Sequence, residues 1–380
     1  MSKELKNVLY PGRIENGNLG DILINGLMII ELLKYSNVYI KGKLNNEIFK
    51  FVSQHSTNIK NLHVLNFRTD SLIRYKLNVL FYLLRNRKFD FVFDTPGHIS
   101  ESGSTLKTTL KTVFNLFSVY FYSFLGIKSI KYGITLGPFN NFNWTLYRLI
   151  CNKSKMIAIR DTENYSNLLN KKITNIELVP DLAFLLVDLI PQDFKKEFGV
   201  NQNLITISLR GSLTGKEVNN VYFEETYEKL NELILLLKEN YDFNKTDITY
   251  QVDCDRNTSE LLKQKLEKNF NGLELNYIQK QLNIESAIEQ YSKSGCLVTN
   301  RLHVFLLAMF TNTITIIITD SGKHSKLTSI VNDLGLQSLI YKTGSKVNLS
   351  DFRDFEKFNY ISFENCQMLK AHIKSMLTNN

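Results

Sequence analysis

Leu297-Val298-Thr299-Asn300-Arg301-Leu302-His303-Val304-Phe305-Leu306-Leu307-Ala308-Met309-Phe310 runs apolar to Thr299 and takes a polar step with two potentially cationic side chains. It then turns apolar again over a helical length, ahead of the β-branched run Ile314 to Thr319. This reads as strand, turn, helix, strand. In an open parallel sheet, ligands sit beyond the carboxyl ends of the strands, where helix N-termini aim N–H groups at anions. Arg301 and His303 stand at such a place, so an anionic substrate is expected.

Upstream, the same alternation recurs. Leu204 to Leu209 reads as a strand ending at Arg210-Gly211-Ser212, and Tyr222 to Asn240 as a long amphipathic helix. Asp247 to Val252 reads as a strand ending at Asp253-Cys254-Asp255-Arg256, followed by helices over Ser259 to Phe270 and Ile284 to Lys293. Arg210, Asp253, Arg301 and His303 then all fall just past strand ends, and parallel neighbouring strands would bring them to one edge. The C-terminal segment Phe355 to Leu377 reads as a helix.

The N-terminal half begins with a strand, Asn7 to Tyr10, a loop with Gly17 and Gly20, and a helix over Ile22 to Leu33 with Asp21 at its cap position. Strands follow at Val38 to Ile40, Leu62 to Leu65, Phe89 to Asp94, Ser129 to Leu136 and Met156 to Ile159, where Asp161 would cap the next helix. Strands separated by helices at this spacing imply βαβ units and a parallel sheet. At 380 residues the chain exceeds the roughly 250–300 at which one core stops growing, so two domains are expected. They are placed at residues 1–190 and 191–345, with a helical segment at 346–380 packing back over the junction.

The net charge of +9 could serve an anionic small molecule, an anionic membrane surface or nothing specific, and no Lys/Arg cluster is dense enough for nucleic acid. Cys151, Cys254, Cys296 and Cys366 lie far apart without metal-binding spacing, with Cys254 and Cys296 at strand-like positions. Reduced, structural thiols are expected. Met1 to Lys6 lacks the apolar core of a signal peptide, which points to the cytoplasm. The apolar stretch Val113 to Ile127 carries Asn115, Ser118 and Ser123 and falls short of the about 20 residues that span a bilayer. With Lys107, Lys111, Lys128 and Lys131 around it, it reads either as a buried helix or as a patch lying on a membrane that carries a lipid-linked substrate.

Several short pieces occur in an order and spacing that resemble the polysaccharide pyruvyl transferase family. They are Asn18-Leu19-Gly20-Asp21, the Gly133 to Gly137 strand closed by Pro138, Ile159-Arg160-Asp161, Pro180-Asp181-Leu182-Ala183-Phe184, Ile207-Ser208-Leu209-Arg210, Arg301-Leu302-His303 and Gly322-Lys323. The sequence departs from the family at Thr95-Pro96-Gly97-His98, where a glycine-rich turn is common, at Asn164 in place of Ser, and at Leu182 in place of Pro. The resemblance implies two Rossmann-like α/β domains facing across a cleft, as in GT-B enzymes. It also implies transfer of pyruvate from phosphoenolpyruvate to sugar hydroxyls as a ketal, in the biosynthesis of a capsule or other exopolysaccharide. The acceptor would be a sugar or lipid-linked oligosaccharide, and neither metal nor cofactor is called for.

Such a donor carries a phosphate and a carboxylate, which guanidinium forks and helix N-termini bind. Arg210 and Arg301 are therefore the expected anion clamp, with Lys323 a further candidate. His303 is expected to contact phosphate or act as general acid. Asn18 and Gly20 are expected to contact substrate, and Asp21, across the cleft, would orient or deprotonate the acceptor hydroxyl. Two other readings stand beside this one. A GT-B glycosyltransferase would use a nucleotide sugar, with Asp253-Cys254-Asp255 resembling an Asp-x-Asp metal motif. A non-catalytic glycan-binding relative would retain the fold alone.

Overall fold

The computed structural model describes residues 5–10, 17–41, 46–65, 72–86, 88–94, 96–100, 105–191, 203–212, 219–319, 325–345, 348–352 and 354–378. The chain divides into two compact units, one of Met1–Asn16, Asp21–Leu185 and Asn365–Asn380, the other of Gly17–Gly20 and Leu186–Glu364.

The first unit alternates strictly. In chain order it contains β1 (Lys6–Tyr10), α1 (Leu19–Leu33), β2 (Ser36–Lys41), α2 (Asn46–His55), β3 (Leu62–Leu65), α3 (Leu72–Arg85), β4 (Phe91–Asp94) and β5 (Gly97–Ile99). There follow α4 (Thr105–Phe124), β6 (Lys128–Leu136), α5 (Asn141–Lys153), β7 (Met156–Ile159), α6 (Thr162–Asn170) and β8 (Ile176–Leu178). The sheet order is β3-β2-β1-β4-β6-β7-β8, with β5 also on β6. These pairings are parallel. The order reverses between β1 and β4, which is the switch point of a doubly wound sheet. β6 is buried from Ser129 onward, as expected of a strand covered on both faces.

Four local expectations change. The helix α1 begins at Leu19, and Asn18 Oδ1 accepts from the Gly20 N–H at 3.1 Å, so Asn18 caps it and Asp21 lies inside its first turn. Within Thr95 to His98, Thr95 lies outside the described residues and Gly97 and His98 enter β5 instead of a turn, because the backbone finds ladder partners on β6. The three-residue strands β5 and β8, and in the second unit the strand Glu274–Tyr277, escape the sequence pattern. The helix read at Val113 to Ile127 is α4, which starts at Thr105 and buries only one face.

Motifs that look functional in the sequence hold this sheet together. Arg160 Nη1 donates to Asp181 Oδ2 at 2.8 Å with both side chains 1% exposed, and Arg160 Nε reaches Thr135 Oγ1. Thr135 Oγ1 donates to Asp161, which caps α6 by accepting from the Asn164 N–H, while the Asn164 amide pairs both backbone groups of Leu136. One buried polar network thus ties the ends of β6 and β7 to the Asp181 turn.

The second unit contains β9 (Leu204–Ser208), α7 (Asn220–Tyr241), β10 (Lys245–Ile248), α8 (Arg256–Asn269), β11 (Glu274–Tyr277), α9 (Ile284–Lys293), β12 (Cys296–Thr299), α10 (Leu302–Phe310), β13 (Ile314–Ile317) and α11 (Ser325–Asp333). The final helix is α12 (Phe355–Thr378). The sheet is parallel, in the order β11-β10-β9-β12-β13, and reverses between β9 and β12. β10 ends at Ile248, earlier than the expected Val252, because Val252 leaves the ladder to form an antiparallel bridge with Asn18. Cys254 accordingly sits in a 3-10 turn, Asp253–Asp255, and not in a strand. Every residue of α10 except His303 is buried, as its nearly unbroken apolar sequence requires. The four cysteines are reduced thiols, three of them buried.

α12 is divided between the units, with Asn365 onward in the first. In the second unit Phe358 packs edge-on against Phe310 at 5.2 Å. In the first, Cys366, Leu369, Ile373 and Leu377 are buried, and His372 meets the Tyr132 hydroxyl at 2.9 Å and Glu177 at 2.7 Å.

Candidate functional site

The site is built at the reversal point of the second sheet. β9 and β12 are neighbours in register, with Thr299 opposite Ser208, so Arg210 and Arg301 leave adjacent strand ends. Side chains at those ends fix the two chains to each other. Thr299 Oγ1 donates to Ser208 O at 2.7 Å and accepts from the Arg301 N–H at 3.0 Å. Asn300 Oδ1 accepts from the Arg210 N–H at 2.8 Å, and Asn300 Nδ2 donates to Arg210 O and to the Tyr222 hydroxyl.

Two guanidinium groups are held close in a place with little water. Arg301 is 13% exposed, and its Nη2 pairs with Asp255, which is 4% exposed. Burial, and then the nearby Arg210 charge, push the Arg301 pKa down to about 9, so it stays cationic at neutral pH against electrostatic resistance. The Nε atoms of both Arg210 and Arg301 are buried and find no hydrogen-bond partner among the described residues. Two like charges with buried donors at adjacent strand ends are a chemistry suited to binding an anion.

His303 lies on the first turn of α10, directly after Arg301 and Leu302. Gly17 to Gly20 belongs to this unit and is laid beside it by three contacts. These are the Asn18–Val252 bridge, the bond from Leu19 N to Gln251 O at 3.3 Å, and the bond from Gln281 Nε2 to Gly17 O at 2.6 Å. A Cβ at Gly20 would overlap the His303 ring at Nδ1 and stand 2.8 Å from its Cγ, so this position requires glycine. Gly211 is constrained in the same way, since a Cβ there would fall 2.9 Å from Thr258 Cγ2 on α8.

The structure therefore brings Asn18, Gly20, Arg210, Arg301 and His303 into one unit, at or beside the ends of β9 and β12. Asp253 lies five residues beyond β10 instead of at its end, and Asp255 is engaged by Arg301, so the Asp253-Cys254-Asp255 tripeptide forms the turn that opens α8. Among the described residues no group of three or more His, Cys, Asp or Glu is arranged to hold a metal ion. Lys323 lies outside the described residues.

Asp21 belongs to the first unit, where Asn25 Nδ2 donates to its carbonyl at 2.7 Å. Its carboxylate adds to burial in raising the Tyr10 phenol well above the usual range, and lies about 4.0 Å from a Cβ built on Gly97. Tyr10 ends β1 and Gly97 opens β5 just after β4, so Asp21 faces the reversal point of the first sheet.

Sequence reasoning missed three contributors. Tyr222, on the first turn of α7, has its hydroxyl raised by burial and drawn back by Thr226, Arg210, Asn300 and Arg301. Nothing in the sequence marks it. Asn300 sits in plain view between Thr299 and Arg301, and an amide at a strand end is the signal that could have found it. Asp255 is visible only as part of a metal-like tripeptide.

A family model described as Polysaccharide pyruvyl transferase matches residues 18–322. No curated protein sequence matches the chain. Among solved structures, UDP-GlcNAc 2-epimerase from Neisseria meningitidis bound to UDP-GlcNAc is similar at 14% identity and TM-score 0.56, over 98% of this chain and 94% of that one. The UDP-GlcNAc 2-epimerase of Methanocaldococcus jannaschii gives 14% identity and TM-score 0.54, over 95% and 100%. Alr3699/HepE of Anabaena in complex with UDP gives 9% and 0.54, over 98% of each chain. At these identities the likeness establishes the fold, two Rossmann-like α/β units of the GT-B kind.

Proposed function

The chain belongs to the polysaccharide pyruvyl transferase family, and from this we propose that it transfers pyruvate from phosphoenolpyruvate to two hydroxyls of a sugar, forming a cyclic ketal on a surface polysaccharide or its precursor. The observation that carries this reading is the pair of buried Nε donors on Arg210 and Arg301 at the ends of β9 and β12. A small, doubly anionic donor offers a carboxylate and a phosphate to two forks at once.

In this scheme Asp255 anchors Arg301 through Nη2 and leaves Nε for the ligand. The N-terminus of α10 adds a favourable field for the same anion. His303, as imidazolium, gives a proton to the methylene carbon or to the departing phosphate. Protonation turns the methylene into a methyl and gives its neighbour oxocarbenium character. One sugar hydroxyl adds there, the carbon–oxygen bond to phosphate breaks, and a second hydroxyl closes the ring. The two protons released by the hydroxyls balance the one taken up by carbon and the one carried off by phosphate or solvent. Asp21, the residue after Gly20, takes the acceptor-side role of orienting or deprotonating the first hydroxyl.

Thermal unfolding with phosphoenolpyruvate and with UDP-GlcNAc, on the wild type and on Arg301→Lys, tests the donor. A ligand held only by the folded state at a hundred times its dissociation constant adds about 2.7 kcal/mol. Phosphoenolpyruvate should stabilise the wild type, and Arg301→Lys should lose that effect together with about 10²–10³-fold in phosphate-releasing turnover while unfolding near the wild-type temperature. Stabilisation by the nucleotide sugar and none by phosphoenolpyruvate would move the chain to sugar transfer.

A further inference from the structure

We infer that the exposed face of α4 seats the protein on an anionic phospholipid bilayer. The helix is amphipathic in the unusual sense. Its inward face is narrow and partly polar, with Thr108, Thr112, Ser118 and Val119 buried and Leu116 and Tyr122 packed against the core. Its outward face carries the large apolar side chains: Leu106 is 70% exposed, Leu110 61%, Val113 45%, Phe117 56%, Tyr120 48% and Phe124 82%. Their spacing of four and three residues in alternation puts all six on one stripe. The 20 residues of α4 make that stripe about 30 Å long. The Phe117 ring stacks on Phe121 at 6.2 Å, which stiffens the patch. No folding requirement of the unit explains spending the bulkiest apolar residues on solvent.

The surrounding charge selects the occupant. Between Glu101 and Asp161 the sequence contains no acidic residue. Lys111 on α4, Arg148 and Lys153 on α5, and Lys155 after it, are exposed, and Lys153 Nζ stands 5.5 Å from the Tyr120 ring of the stripe. An apolar helix face with exposed cations on its own helix and on the next, in a stretch without acidic residues, matches a surface of lipid phosphates over hydrocarbon. A second copy of the chain in a two-fold pairing would set the same cations against one another. No described helix is long and apolar enough to cross a membrane, so α4 would lie in the interface plane.

Co-sedimentation of the full chain with vesicles tests this without using activity, so its outcome is separate from that of the donor assignment. Vesicles of phosphatidylcholine with phosphatidylglycerol should pellet the protein, those of phosphatidylcholine alone should do so weakly, and binding should fall as salt rises. Phe117→Ser with Phe124→Ser should abolish pelleting while unfolding near the wild-type temperature, since both side chains are more than half exposed. Reversing one border charge, Lys153→Glu, should lower the partition coefficient about thirty-fold. Absence of wild-type pelleting, binding that ignores salt and lipid charge, or binding retained in the double variant would each overturn the inference. So would a wild-type dimer by light scattering that the double variant converts to monomer without vesicle binding, for then a second copy covers the stripe.

Discussion

Gly20 and His303 are separated by most of the chain, and their packing makes each a condition of the other's place. A methyl group at Gly20 would occupy the space of the imidazole ring, so Gly20→Ala should displace His303 and weaken donor binding and turnover. The cost should vanish when the ring is gone. In a double-mutant cycle, Gly20→Ala in the His303→Ala background should change turnover little, whereas additive losses would show that Gly20 acts on something other than His303. The residue types at the site were legible in the sequence: Arg301 and His303 at a helix start, and Arg210 after a strand. Their partners were not. Asp255 becomes the counter-ion of Arg301 only because the 3-10 turn brings it back, and Asn300 earns its role by reaching a strand more than 80 residues earlier in sequence.

At the scale of elements, family-like short motifs divide into two kinds. Ile207 to Arg210 and Arg301 to His303 build strand ends that carry cations into the candidate site, while Arg160, Asp161 and Asp181 build strand ends that are sealed. Removing one member of a buried ion pair strands the other, so Asp181→Ala should cost about 3–5 kcal/mol in urea unfolding. Because this network lies wholly in the first unit, the affinity of the surviving folded protein for phosphoenolpyruvate should match the wild type, as titration calorimetry would read. A large loss of affinity with unchanged stability would reverse the assignment of Arg160 and Asp181 as structural. Long, strongly apolar elements such as α10 and β12 were readable from pattern. The strand β8 was not, since three residues of which two are exposed carry no period.

Over the whole molecule, the C-terminal helix is the element whose allegiance pattern could not supply. Residues from Asn365 onward complete the core of the first unit, with Leu369 and Ile373 fully buried. Ile373→Ala should destabilise by about 2–5 kcal/mol. Limited proteolysis should then release fragments from residues 21–185 sooner than from the second unit, and the opposite order would place the helix wrongly. By itself the sequence determined that this is an α/β protein with two parallel sheets, because alternating apolar runs and helical periods are local properties. It also marked which cations stand beyond strand ends, for the same reason. The tertiary structure alone decided that β9 and β12 are neighbours and that their arginines therefore share one desolvated place. It also decided that Gly17 to Gly20 is laid against His303, and that α4 turns its large side chains outward. Strand order, ion pairing and the choice of a buried face all depend on contacts between distant residues, and no window along the chain contains both partners.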